Sequence, residues 1–136
     1  MKAHAVRLPP GEDLAIALSR LVVERKLEAA AVVTCVGSLE VASIRFANEP
    51  HARVLAGPFE IVSLVGTLEP TGQHLHICLS DNVMPKLGGR CVGGHVKEGC
   101  LVHTTAEVVL AELPSVRFSR LHDPRSGYPE LVTESR

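Results

Sequence analysis

The sequence predicts an α+β domain in which one main helix near the N-terminus packs on a mainly antiparallel sheet of about seven strands. Three observations carry that expectation. Apolar residues recur at helical spacing only near positions 12–27. From Ala30 onward they alternate, or run in short blocks rich in Val, Ile and Leu. The turns between those blocks are too short for the helical crossovers that a parallel sheet needs.

Taken in order, Lys2 to Leu8 alternates as a short edge strand, stopped by Pro9-Pro10-Gly11. Glu12 and Asp13 then stand where a helix N-terminus favours negative charge, and Leu14, Leu18, Leu21 and Val22 form the apolar stripe of a helix over about 12–27. Arg25-Lys26 complement its C-terminal end. Ala31 to Val36 reads as a buried strand ending at Gly37-Ser38, and Val41 to Phe46 as a second. Phe59 to Leu68, Gln73 to Ser80, the glycine-rich Val92 to Val96, Leu101 to Leu113 and Val116 to Leu121 supply the rest. The tail from Asp123 to Pro129 has turn composition.

The chain's 136 residues suit a single domain over 1–136, since domains cluster near ~100–150 residues. With 46% hydrophobic and 21% charged residues it is globular rather than disordered. Aromatics are 3%, so the core is built from aliphatic side chains. The positive mean hydropathy leaves apolar surface for a partner subunit. A net charge of −1 supplies no global field for nucleic acid or an anionic membrane. There is no apolar run near the ~20 residues of a membrane span, and no apolar segment follows Met1-Lys2-Ala3-His4 as in a signal peptide. The four cysteines show no C-x-x-C. These features predict a soluble intracellular protein, most simply a cytoplasmic one.

The seven histidines are placed more tellingly than they are numerous. In Gln73–Ser80, Leu75, Ile77 and Leu79 alternate with His74, His76 and Cys78. One face therefore packs inward while the other presents two imidazoles ~6–7 Å apart along the strand. Such a pair can converge on one metal ion, or it can be plain solvated sheet surface. His95 offers a third ligand, because Gly93-Gly94 before it permits close backbone approach. Imidazoles suit zinc, or copper, nickel or iron. On Leu101–Leu113, Glu107 shares a face with His103 and Thr105. It reads equally as an orienting partner or general base, and as a solvated charge paired with an arginine such as Arg45. Cys78 reads as a buried thiol rather than a soft ligand, and Cys35 as an inert one. His4, His51, His103 and His122 have no special spacing and fall to surface or interface roles. Neither a G-x-S-x-G elbow nor a phosphate-binding glycine fingerprint is present.

The ordered set Gly72-Gln73-His74-Leu75-His76, Gly89-Arg90-Cys91-Val92-Gly93-Gly94-His95, Gly99 and Thr105 to Leu110 resembles the PPC domain, named for plants and prokaryotes. Gly37-Ser38-Leu39, Gly57 to Leu64, Asp123-Pro124, Gly127-Tyr128 and Glu130-Leu131 extend the resemblance over nearly the whole chain. It implies a strongly bent sheet similar to that of acetolactate decarboxylase, a homotrimer, and a metal site carried onto His74, His76 and His95. Zinc or another divalent transition metal is the implied cofactor, and Glu107 the first acid/base candidate if the site is catalytic. Two features depart from the family pattern. The stretch Asp81–Leu87, with Met84-Pro85-Lys86, is longer than expected and reads as a lid or an extended hairpin. Pro58 replaces the Arg that plant members carry in a partner-binding segment. The AT-hook core Arg-Gly-Arg, by which plant relatives enter the minor groove, is missing from this sequence. Two functions follow: a trimeric metal-binding protein that binds or transforms a small molecule, or a non-catalytic assembly module associated with DNA only through other proteins.

Overall fold

A computed structural model of the chain describes residues 1–82 and 89–136. The lid or hairpin expected around Met84-Pro85-Lys86 lies outside the described residues.

The elements are β1 (Lys2–Leu8), α1 (Leu14–Glu24), β2 (Ala30–Arg45), β3 (Arg53–Glu69), β4 (Gly72–Ser80), β5 (Cys91–Val96), β6 (Leu101–Glu112), β7 (Val116–Asp123) and β8 (Tyr128–Ser135). Six strands form one sheet in the order β1-β6-β2-β3-β4-β5, and β7 and β8 form a separate ribbon. The paired strands run antiparallel. The fold is α+β with a bent sheet, as expected.

The helix is shorter than its apolar periodicity suggests because both ends are capped. Asp13 is the N-cap: one carboxylate oxygen accepts from Ile16 N–H at 3.1 Å and the other from Gly99 N–H at 2.7 Å, tying the helix to the β5–β6 turn. At the other end Lys26 takes a left-handed φ of 54°. Its N–H donates to Val23 O, and Leu27 N–H to Val22 O, which is a Schellman closure. The buried stripe of Leu14, Leu18, Leu21 and Val22 joins Leu39, Ile44, Leu68, Leu75, Leu79, Val108 and Leu110 in the core.

Two long strands bend the sheet. Positions 30–45, expected as two strands, form one, because Gly37 continues the ladder instead of ending it. Its φ of 149° lets β2 approach β6 so closely that a Cβ would lie 2.0 Å from Thr105 O. Register shifts on both sides of Gly37 and at Ile61/Ser63 of β3 add bulges, which increase local twist. The far end of β2 then pairs with β5 through Ile44↔Val96 and Arg45↔His95. The strands β2, β3, β4 and β5 thus close on themselves. That closure carries β5, with His95, back to β2.

His4, expected in a surface or interface role, is 7% exposed within the chain itself. Arg25 donates to its Nδ1 at 3.2 Å, so Nε2 carries the proton and donates to Glu112 at 2.7 Å. The imidazole joins β1, α1 and β6.

Candidate metal centre

Strand period two puts His74 and His76 on the outer face of β4, while Leu75, Ile77 and Leu79 of the same strand are buried. β5 brings the third imidazole alongside, with His76 directly opposite His95 in the ladder. The two glycines before His95 make that approach feasible. A Cβ on Gly93 would lie 2.2 Å from Ile77 O, and one on Gly94 would lie 2.7 Å from Ile44 Cγ2 and 2.8 Å from Arg45 O. Only glycine lets β5 pack between β4 and β2 here.

The three rings converge. Centroids are 4.8 Å apart for His74–His76, 5.0 Å for His74–His95 and 5.6 Å for His76–His95. The Nε2 atoms of His74 and His76 lie 3.0 Å apart. One nitrogen from each of the three residues lies within 4.8 Å of the others. Bonds of ~2.0–2.1 Å to a shared ion span donors of this spacing after small ring rotations. The donor set is neutral and all-nitrogen, which fits a borderline transition metal better than calcium or magnesium.

The surroundings of His74 and His95 favour the uncharged ring. Burial first, then the charges of His74, Arg45, Lys97 and His76, push the pKa of His95 down to about 4. Burial, then His76 and Arg120, lower that of His74, against a smaller opposing pull from Glu130. Neutral imidazole is the form that binds a metal.

Beside the cluster opens a cavity of about 700 Å³, lined by His74 and His95 and by residues of three other regions. Arg45 comes from β2, His51 from the β2–β3 loop, and Arg120 and Tyr128 from the β7–β8 ribbon. None of these four was singled out from sequence as part of the site. Arg45 had a signal, since its strand pattern marks it as an exposed-face cation. Arg120 and Tyr128 had none, because the ribbon reaches the site only through tertiary packing.

Glu107 is not brought to this cluster. It stands exposed on β6, opposite Arg7 of β1 and Val36 of β2, and does not line the cavity. Among the described residues it forms no ion pair with Arg45, which instead faces the cavity. Cys78 is half-buried on the His74–His76 face but outside the three-histidine group. Burial raises its pKa, with Cys91 as a further cause. Cys35 is buried and its thiol is pushed up to about 11, as expected of an inert thiol.

Residues 1–114 match the family model described as the Plants and Prokaryotes Conserved (PCC) domain. The chain is 44% identical over 131 residues to the bifunctional protein GlmU of a Synechococcus strain, covering 96% of this chain and 20% of that protein. It thus spans about one fifth of the length of the curated relatives it matches. Among solved structures, a hypothetical protein from Salmonella enterica is similar at 43% identity with a TM-score of 0.92, covering 99% of this chain and 94% of that one. A metal-containing protein from Archaeoglobus fulgidus is similar at 22% identity with a TM-score of 0.80, covering 97% and 94%. The second likeness is one of fold.

Proposed function

The chain belongs to the Plants and Prokaryotes Conserved domain family, and on that premise we propose that it is a homotrimeric metal-binding protein. His74, His76 and His95 hold one divalent transition-metal ion, zinc foremost, beside a pocket that admits a small molecule. The observation that carries this reading is the convergence of three imidazole nitrogens from two strands within 4.8 Å. Solvated histidines on a sheet face have no need of that arrangement. When bound, the ion supplies a Lewis-acidic centre with coordination positions left open by only three protein ligands. The chain's own residues supply the neutral donors, a buried aliphatic layer behind them and the polar cavity in front.

The trimer is supported by an apolar patch on the outer sheet face. Val33 and Val36 of β2 and Val62 and Val65 of β3 are 62%, 57%, 57% and 56% exposed. All four lie in the stretches of β2 and β3 between the paired positions Ala31 opposite Thr67 and Ser38 opposite Glu60. Direct binding to duplex DNA is not part of this reading, because a net charge of −1 lacks the counterion-release contribution. No helix among the described residues is long and apolar enough to cross a membrane.

Elemental analysis of protein purified without a histidine tag tests the proposal. Zinc, or a metal replaceable by zinc, is expected in the wild type. His76→Ala should lose most of it and keep the fold, since that side chain is exposed. Equal metal content in the two proteins would contradict it.

A further inference from the structure

The cavity beside the histidines is walled by cations placed by the same strand geometry that places the imidazoles. Arg45 lies directly across the ladder from His95. Lys97 follows His95 by two residues, with its N–H donating to Ser43 O at 3.0 Å, so the strand geometry extends to it and its side chain shares the His95 face. Arg120 reaches over from β7 and donates to Thr67 Oγ1 at 2.8 Å, and Thr67 is the ladder partner of His74. All three line the cavity.

Carboxylates offset these charges only in part, Arg120 being ion-paired with Glu69. Of the two carboxylates in the lining, Glu49 is held by Arg53 at 2.7 Å, which leaves Glu130 on β8. Glu69, 3% exposed beneath the floor, lies 3.7 Å from Arg120 Nε but directs its other oxygen to Thr71 N–H and Oγ1. It fixes the Arg120 side chain, which is 13% exposed, and leaves the Nη2 end toward Thr67 and the cavity. Arg45 is packed against the Tyr128 ring, 5.7 Å from its centroid. Two of the three cations are therefore held in position before any ligand arrives, which reduces the ordering cost of binding. Arg45, Lys97 and Arg120 against Glu130 and Glu69 leave a net positive lining in a chain of net charge −1.

We propose that Arg45, Lys97 and Arg120 form an oxyanion subsite, so that the small molecule admitted beside the metal is an anion carrying a carboxylate or phosphate group. Arginine forks and a lysine ammonium are the groups that recognise such oxygens. The inference rests on the metal site proposed above for its second anchoring point, but the subsite is built from residues that are not ligands.

The test is calorimetric titration of inorganic phosphate, and separately of malonate, into the zinc-loaded and the metal-free full chain. Wild type, Lys97→Met and the double variant Arg45→Gln/Lys97→Gln are compared, with zinc content and thermal melting recorded for each. Saturable binding of at least one anion is expected, and which of the two binds identifies the phosphate or carboxylate class. Lys97→Met should weaken it about tenfold, and the double variant further, with zinc content unchanged. Absence of binding by both anions overturns the subsite, as does equal affinity in Lys97→Met, whose exposed side chain makes misfolding no explanation. Zinc retained without anion binding defeats the subsite alone. Anion binding that depends on Lys97 in a chain that takes up no zinc upholds the subsite and defeats the metal proposal.

Discussion

His95 is half-buried between two other imidazoles and two cations, and its pKa of about 4 follows first from that burial and then from those neighbours. An unfolded histidine titrates near ~6.5. Without metal, the folded chain therefore binds fewer protons at His95 than the unfolded chain once the pH drops below 6.5. Stability falls with pH through that window, until His95 itself protonates near pH 4. His74, shifted in the same direction, adds to the trend. Thermal melts of the metal-free protein from pH 7.5 to 4.5 should show a decline that His95→Gln flattens; identical profiles for the two proteins would count against the depressed pKa. The two imidazoles of β4 were legible in the sequence because strand period two fixes which residues share a face. The same rule put Glu107 on the face it shares with exposed His103, but could not tell how far that face lies from the histidines. Periodicity assigns a face but says nothing of which strand lies alongside, and β6 pairs with β1 and β2 rather than with β4 or β5.

Among the elements, β5 decides whether the cluster exists. Gly93 approaches Ile77 O, a backbone atom that cannot swing aside. Gly93→Ala is therefore expected to push β5 off β4, costing about 1–3 kcal/mol of stability by overpacking and reducing zinc uptake by separating His95 from His76. Denaturant unfolding together with metal analysis checks this, and an alanine variant with wild-type zinc content would show that the approach is not required. The Gly-Gly-His segment carried this role visibly, since paired glycines inside a strand mark close backbone contact. Other elements were less legible. Gly37 reads as a stop, yet it is a bulge glycine inside β2. β8 was hidden because Asp123 to Pro129 has turn composition; residues 124–127 are indeed a turn, with the strand beginning immediately afterwards at Tyr128. The cavity's second wall was hidden with it, as the β7–β8 ribbon reaches the histidines only by folding back over β3 and β4.

At the scale of the whole molecule, the closure of β2, β3, β4 and β5 places the donors on one face and leaves Val33, Val36, Val62 and Val65 among the uncovered valines of β2 and β3. If those valines are an interface, light scattering should give three times 14.6 kDa. Val36→Lys/Val62→Lys should lower that mass, because burying two ammonium groups without partners is costly. A wild-type monomer at micromolar concentration would contradict the trimer. The sequence's positive mean hydropathy pointed to surplus apolar surface, but where it lay depended on the β2–β3 register. The central claim is that His74, His76 and His95 share one ion. A crystal structure of the zinc-soaked protein, with an anomalous difference map collected at the zinc edge, addresses it directly. One strong peak per chain within ~2.0–2.1 Å of a nitrogen from each imidazole is the predicted result. A map with no peak there, or with zinc bound only at other groups, would contradict it.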